Sequence, residues 1–598
     1  MSIYVGDVIA VQGTKIVLRI VDDSSKETLY FEGAKYRGIS IREFISIRRG
    51  FRDIVCMVEG EFLDESRIDG SVEGKFGYVR KVEVRPIGYF EAGAFKEGIK
   101  YMPMIKDPAS LLQEDRIAAI YGKSPEPGYQ IGRMLKEDIP VSLPWRVLFN
   151  THLGIFGNTG SGKSNTLAKL YTVLFANKAE VMQGKSRFVI IDFNGEYTGD
   201  QLLSADSKSV LKLTTATTNG PRWPLHEDEF WGTDVLSMLF QATPSTQRPF
   251  LNRIVTGRNK YGQNINSLSN YIKSVFRLSF TAASPRRESV DLLRTVARLV
   301  DAGLILSVLS KITWHSQQGK FVHQNDVGGR TFFEADGSAY EALLAELVEN
   351  INASELDAFD QLIVRSNLRL AQDVVQGYVQ YEHVQPLLKR IESSLTFLRR
   401  VVEVTAEQQT PALLSVVSLR KCNSEMKKVI PLLIAKHHYE QHKRDVATPP
   451  DKTIHLIIDE AHNILSQSSV REQESWKDYR LELFEEIIKE GRKFGIFLTI
   501  ASQRPADISP TIVSQVHNFF IHRLVNDRDL ALLENSITTL DRLSRGMIPN
   551  LARGCCVVTG TSFELPMILQ MDILEKSRQP DSEDVNLARL WTMPTTST

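Results

Sequence analysis

Eight consecutive residues carry the clearest chemistry in the chain. Residues 157–164 read Gly-Asn-Thr-Gly-Ser-Gly-Lys-Ser and fit the spacing G-x-x-x-x-G-K-[ST]. Gly157, Gly160 and Gly162 let the backbone wrap closely around a phosphate. The N–H groups of Asn158, Thr159 and Ser161, with those of a helix starting at Lys163, Ser164 and Asn165, then point at anionic oxygens. Lys163 is expected to reach the β- and γ-phosphates, and the Ser164 hydroxyl to bind Mg²⁺. The expected cofactors are therefore ATP and Mg²⁺. A Gly-rich turn matching the pattern by chance is the alternative. A strand before the loop, a helix after it and a second motif downstream argue against that alternative.

The second motif is the apolar run Ile454-His455-Leu456-Ile457-Ile458 ending in Asp459-Glu460. Asp459 is expected to hold the Mg²⁺ shell, and Glu460 to orient and activate the attacking water. On its own the run also reads as a strand ending in a solvated acidic turn. Asp192 and Glu196 close FVIIDFNGEY, another strand end, where ligands bind in α/β folds. They either assist the metal site and its rim or are purely structural. Gln503, in TIASQRP, ends the next strand, where an amide can sense a phosphate. The alternative is a loop glutamine with no ligand. Arg492, in Glu490-Gly491-Arg492-Lys493, reads by pattern as a cation complementing a helix C-terminus.

Two further patterns are weaker. Asn526-Asp527-Arg528-Asp529 resembles a guanine-reading signature but lacks its lysine. His437, His438 and His442 crowd one helix, and the i, i+4 pair either binds metal or lies on a solvated face. No zinc site is expected. The four cysteines form no CxxC pair, and the adjacent Cys555 and Cys556 read as strand residues, a usage that fits a reducing compartment.

The elements that must position these residues follow from pattern. A chain of 598 residues, at roughly 100–200 per domain, predicts three or four domains. Residues 1–110 hold short Val-, Ile- and aromatic-rich runs punctuated by Gly and Asp, which predict a small β-barrel or sandwich. Residues 111–145 read as a Pro-containing linker. Residues 146–225 read as strand, phosphate loop, helix and strand, a right-handed parallel unit. Apolar residues at three- and four-residue spacing predict a helical insertion over 226–408, with 315–330 as a loop. The α/β pattern resumes over 409–575, and 576–598 is a polar tail. The fold class is thus α/β: a P-loop ATPase core with an N-terminal β-barrel and a helical-bundle insertion. Lys plus Arg and Asp plus Glu both number 72, so net charge neither implies nor excludes nucleic acid. No signal peptide and no membrane span is expected, and the expected location is cytoplasmic.

Asp459-Glu460-Ala461-His462 is the box of a two-lobed helicase superfamily, but the 136 residues after His462 are too few for a second lobe. A single lobe must borrow its second wall from a neighbour, so a ring is expected. The full set resembles the HerA branch of the HerA/FtsK translocases. The matching stretches are His152-Leu153-Gly154-Ile155-Phe156 running into GNTGSGKSNT, then VIIDFNGEY, LIIDEAHN, EGRKFGIFLTIASQRP and IHRLVNDRD. The β-rich start resembles that family's N-terminal barrel, and the helical stretch resembles its bundle, so the resemblance covers nearly the whole chain. FNGEY departs from the family's more usual Pro-His before Gly-Glu-Tyr, outside the catalytic atoms. The resemblance implies a RecA-like core and a homo-hexamer that moves double-stranded DNA with ATP. It also implies that Lys163, Asp459, Glu460, Arg492 and Gln503 match nucleotide-site positions, with Arg492 supplied to a neighbouring subunit. Members of the family work with effector proteins. In archaea the effector is the NurA nuclease; in bacteria it is often a sirtuin-like NAD hydrolase or a nuclease in anti-phage defence. The chain's length suggests the bacterial defence type, with the barrel as docking surface. The alternative is an ATP-controlled scaffold that assembles and activates the effector.

Overall fold

The computed structural model describes residues 3–591 except 22–25, 27, 68–75, 122–127, 263, 265, 408–411, 468–473, 564, 582–586 and 588–590. Most of the polar tail read from residue 576 onward lies outside the described residues. The chain forms two compact units. The first comprises residues 1–179, 501–506 and 513–579; the second comprises 180–500, 507–512 and 580–598.

In the first unit, β1 (Tyr4–Gln12), β2 (Lys15–Ile20), β3 (Phe44–Arg49), β4 (Arg52–Arg67), β5 (Phe76–Glu91) and β6 (Pro108–Leu111) pair in the order β2-β1-β6-β3-β4-β5. Strand β2 pairs back onto β5, which closes a six-stranded barrel. Ile16, Leu18 and Ile20 alternate inward along β2, and with Val8, Ile45 and Val84 they fill the barrel core. Register shifts between Val8 and Ala10 and between Val58 and Gly60 supply the bends that closure needs. Full closure leaves the ring without exposed edges.

The remaining core strands, in chain order, are β7 (Gln130–Met134), β8 (Pro140–Ser142), β9 (Leu153–Phe156), β10 (Ser186–Asp192), β11 (Ser209–Thr214), β12 (Leu414–Lys421), β13 (Thr453–Ile458), β14 (Ile496–Ser502), β15 (Asn518–Ile521), β16 (Cys555–Gly560) and β17 (Met567–Met571). Within the first unit they run β8-β7-β17-β16-β15-β9. Only the β9–β15 pairing is parallel. Residues 111–145, expected as a linker, thus contribute two strands to a sheet, as well as a helix at Glu114–Ile120. The strands escape pattern reading because they are only five and three residues long and Gly132 interrupts the first. Gly132 is required there: a Cβ would sit 2.4 Å from the Gln570 carbonyl oxygen on β17. The turn after β7 also anchors the barrel. The Arg37 guanidinium donates to the carbonyls of Lys136 and Glu137, and the Lys136 ammonium donates to the Ser40 hydroxyl at 2.8 Å.

In the second unit five strands run parallel in the order β14-β13-β10-β12-β11. Phe188-Val189-Ile190-Ile191 and Ile454–Ile458 are buried throughout, as parallel strands covered on both faces must be. The helix that follows the phosphate loop is α1 (Lys163–Met182), and the helical insertion of the second unit forms a bundle. The bundle helices are α2 (Gln247–Tyr261), α3 (Ser267–Thr281), α4 (Ser289–Leu299), α5 (Ala358–Val375) and α6 (Tyr381–Val401). Its two ends are tied by a parallel ladder of Trp223–His226 with Val402–Thr405, so the chain leaves and re-enters the core at one place. Residues 315–330, expected as a loop, instead help build a three-stranded antiparallel sheet from Ile312–His315, Lys320–Gln324 and Arg330–Phe332. Its strands are short and mostly polar. Phe321 packs edge-on against Trp314 within the sheet and holds the sheet to the bundle through an edge-on contact with Phe280 of α3, a tertiary contact that local pattern does not reveal. Two more helices complete this unit's core, α7 (Met426–Asp445) and α8 (Glu474–Glu490). No helix among the described residues is long and apolar enough to cross a membrane.

The Gly132 contact yields a test. Gly132→Ala should lower the thermal unfolding midpoint by an amount matching the roughly 1–3 kcal/mol typical of overpacking. Gly60→Ala, where the nearest atom to a new Cβ is 3.7 Å away, should leave the midpoint unchanged in the same calorimetric scan.

Candidate phosphate loop and acidic cluster

The phosphate loop lies wholly in the first unit. Strand β9 delivers it and α1 leaves it, with Lys163 as the first helical residue. Gly160 and Gly162 adopt φ of +74° and +114°, a region that residues with a side chain rarely enter. The loop is also crowded from below. A Cβ on Gly157 would meet the His522 Cβ at 2.5 Å, and one on Gly162 would meet the Gly554 Cα at 2.9 Å. Backbone bonds pin it further: Gly157 N–H donates to Ser502 O at 3.2 Å, Asn158 N–H to Arg523 O at 2.9 Å, and Gly554 N–H to Ser161 O at 2.8 Å. Gln503 follows the end of β14, and its side-chain oxygen accepts from the Thr159 hydroxyl at 2.5 Å. The structure thus brings Gln503 against the loop. Asn165 donates to the Asp572 carbonyl at 3.2 Å, which ties the first turn of α1 to the end of β17.

Sequence reasoning passed over His522. It is fully buried beneath the loop, and its Nε2 lies 2.8 Å from the Thr166 hydroxyl. Burial above all, with the nearby charge of Lys163, pushes its imidazole down to about 4. A neutral imidazole is what that position requires, since a second cation beside Lys163 would repel it. The only sequence signal was the His in IHRL at the end of a strand. The Asn526-Asp527-Arg528-Asp529 stretch is a helix start: Asn526 Oδ1 accepts from Arg528 N–H at 3.0 Å, and Asp529 Oδ1 accepts from Ala506 N–H at 2.9 Å.

The acidic residues lie in the second unit. Parallel pairing of β10 with β13 ends at Ile191 opposite Ile458, so Asp192 and Asp459 both stand one residue beyond the ladder. Asp192 is fully buried and organises the FNGEY turn. Its Oδ1 accepts from the N–H groups of Asn194, Gly195 and Glu196 at 3.2, 2.7 and 3.1 Å, and its Oδ2 from Tyr197 N–H at 3.1 Å. Gly195 supplies the φ of +80° that the turn needs. The turn delivers Tyr197, also fully buried, whose hydroxyl donates to Asp459 Oδ2 at 3.2 Å. Burial raises the Asp192 carboxyl above its usual range against the pull of these N–H donors, and the charge of Asp459 adds to the rise. Tyr197 was not singled out by type or spacing, though it closes the FNGEY motif.

Asp459 and Glu460 are nearly inaccessible, at 1% and 4% exposure. Glu460 holds φ of +50°, a left-handed backbone at a residue with a long side chain. Such strain costs on the order of 1–3 kcal/mol and concentrates at functional sites. Its carboxylate lies 3.4 Å from His462 Nδ1. Arg492 is not near this cluster within the chain. It is exposed in a short turn, Gly491–Phe494, that precedes β14, whereas Asp459 follows β13. Because β13 and β14 are parallel over five paired residues, the two lie at opposite edges, roughly 17 Å of strand apart.

The histidines of α7 do not converge. His437 Nδ1 lies 2.6 Å from Glu229 Oε2, His442 Nε2 lies 2.9 Å from Phe494 O, and burial pushes His438 down to about 3. Cys555 and Cys556 are buried at the start of β16.

His522 generates a pH prediction. Its folded pKa of about 4 lies below the roughly 6.5 of an unfolded histidine. The unfolded chain therefore binds the extra proton first, and the stability it contributes, full above pH ~6.5, is lost as pH falls toward ~4. Denaturant midpoints measured between those limits should fall with pH, and more shallowly in His522→Gln. An unchanged slope in the variant would remove His522 from this account.

The family model described as "Helicase HerA, central domain" matches residues 129–302. A probable DNA double-strand break repair helicase HerA from Methanocaldococcus jannaschii is 22% identical over 545 residues, which is 89% of this chain and 94% of that protein. A DNA double-strand break repair helicase HerA from Sulfurisphaera tokodaii is 23% identical, covering 82% of this chain and 77% of that protein. Among solved structures, VirB4 of Thermoanaerobacter pseudethanolicus aligns over 77% of this chain and all of that one, at 14% identity and a TM-score of 0.41. The loop and the acidic strand ends agree with the family match, and the chain is similar along most of its length to HerA proteins, with residues 129–302 matching the HerA central domain.

Proposed function

We propose that the protein is the subunit of an ATP-driven ring motor acting on double-stranded DNA. The observation that carries this reading is the strained, buried Glu460 beside Asp459, in a chain that also holds a fully formed phosphate loop. In this reading the loop's N–H groups and Lys163 hold the phosphates of ATP. Glu460 takes a proton from the attacking water, and Gln503, already bonded to Thr159, senses whether the γ-phosphate is present. Tyr197 keeps Asp459 oriented. The donor set fits Mg²⁺: the Asp459 carboxylate and Ser164 hydroxyl are hard oxygens, and the crowded carboxylates Asp192 and Asp459 favour a cation. When bound, Mg²⁺ neutralises charge on the phosphates.

Arg492 stands at the sheet edge opposite its own chain's Asp459, so this reading assigns it to the next subunit's nucleotide. A homo-hexamer provides that arrangement. The relatives' names as DNA double-strand break repair helicases support DNA as the track. The reading extends to an effector, a nuclease or sirtuin-like NAD hydrolase serving DNA-end processing or anti-phage defence, docked on the barrel. In support, the long β4–β5 hairpin presents Leu63 and Tyr78 on one face, 67% and 66% exposed. Apolar side chains contribute to contact surfaces where they join into a contiguous patch. That exposed hairpin also favours a second reading, in which ATP controls assembly of a scaffold that activates the effector.

DNA-stimulated phosphate release should be lost in Lys163→Ala. In Glu460→Gln it should fall by about 10²–10⁴-fold while ATP binding persists. A turnover rate indifferent to double-stranded DNA would remove the motor reading. Effector activity that survives Glu460→Gln in intact rings would select the scaffold. Mixing Arg492→Ala chains with Glu460→Gln chains should restore part of the activity. Failure at every mixing ratio would contradict a shared site.

A further inference from the structure

The helical insertion holds a charge imbalance that nucleotide chemistry does not use. Helix α5 is buried nearly all round, a setting that calls for apolar residues. It nonetheless carries Arg365, Arg369 and Asp373 at successive four-residue steps, which places them along one face. Asp373 is fully buried and already engaged. Arg253 of α2 donates to its Oδ2 at 2.9 and 3.2 Å, and Arg369 Nε lies 3.0 Å from its Oδ1. Arg258, also of α2, pairs with Glu227 and lies over the Trp231 ring. Tyr271 of α3 donates its hydroxyl to Gln372 Oε1 at 2.9 Å.

Arg365 is left over. It is 7% exposed and, among the described residues, makes neither a hydrogen bond nor an ion pair. The groups whose charge acts on it are Arg258 and Tyr271. Burial lowers its guanidinium to about 10, which leaves it charged at neutral pH. A buried, unpaired cation four residues from another arginine on the same helix face is unfavourable unless an anion joins them.

We propose that Arg365, flanked by Arg258 and Arg369, forms an anion site in the helical insertion that takes a small free oxyanion of the inorganic phosphate class. The guanidinium fork presents several N–H donors in the plane that suits such oxygens. At 7% exposure Arg365 offers little surface to a polymer backbone. The side chains of Arg258 and Arg369, 20% and 25% exposed, bring the cluster to solvent.

The test is calorimetric titration of inorganic phosphate into the full-length protein, saturated with ADP and Mg²⁺ to fill the phosphate loop, at constant ionic strength. One site per chain is expected. Its dissociation constant should rise at least about tenfold in Arg365→Met, equal to roughly 1.4 kcal/mol, and severalfold in Arg258→Gln, which changes a more exposed position. Thermal midpoints give a second readout. Without phosphate, Arg365→Met should match or exceed the parent, because it removes an unpaired charge; with phosphate the order should reverse. The proposal is overturned if phosphate gives no heat, or equal heat in the parent and both variants. It is equally overturned if Arg365→Met loses the same stability in both buffers, or if a short DNA duplex or higher protein concentration, rather than phosphate, supplies the Arg365-dependent stabilisation.

Discussion

The parallel register between β10 and β13 is the constraint on which the second unit's chemistry rests. Two strands whose mutual pairing ends at Ile191 and Ile458 put Asp192 and Asp459 next to each other at the same end of the sheet, with the Asp459 N–H donating to Ile191 O at 3.2 Å. Two buried carboxylates so placed repel each other and lose hydration. The structure meets that cost unequally. Asp192 receives four backbone N–H groups and becomes a structural hub, while Asp459 receives a tyrosine hydroxyl and the N–H of Glu460 at 3.0 Å. The first carboxylate builds the turn that carries the tyrosine to the second. A one-residue slip of β13 would send Asp459 to the opposite face and dissolve the arrangement.

The phosphate loop solves a different problem, that of holding a backbone open around an absent side chain. Its glycines are needed on two counts. Gly160 and Gly162 adopt left-handed angles, while Gly157 and Gly162 press against His522 and Gly554, which follow more than 350 residues later in the chain. The loop's shape is thereby set by contacts within the protein. Such preorganisation lets N–H dipoles stabilise developing charge without reorganising. His522 contributes by staying neutral, which burial enforces. The barrel joins the same compact unit through Arg37 and Lys136 at the turn after β7, so the barrel and the loop belong to one body.

The insertion shows how a long excursion is accommodated without disturbing a parallel sheet. The short ladder between Trp223–His226 and Val402–Thr405 closes it like a clasp, and the bundle beyond has its own core around α5. On α5 the bundle holds one buried arginine, Arg365, and one partly buried, Arg369. The surplus of guanidinium over carboxylate there is a property of the bundle alone.

Much was legible in the residues themselves. The loop, Asp459-Glu460, the barrel's alternating runs and the helical periodicity of the insertion are local patterns. They are short-range consequences of backbone freedom, side-chain alternation and helical pitch, so the sequence by itself determined a P-loop core, an N-terminal barrel and a helical insertion. Other features depend on residues distant in the chain and were decided only by tertiary structure. Strand β7 exists because β17 pairs with it and β8 because β7 pairs with it, and the sheet around Phe321 is held because Phe280 of the bundle receives it. Tyr197 meets Asp459 across 262 residues, and His522 meets Thr166 across 356. The unpaired state of Arg365 is likewise a fact of packing, since helical spacing shows its neighbours on α5 but not which carboxylates the other helices already hold. Local pattern reports what a residue can do; burial and long-range contact decide which of those capacities the folded chain uses.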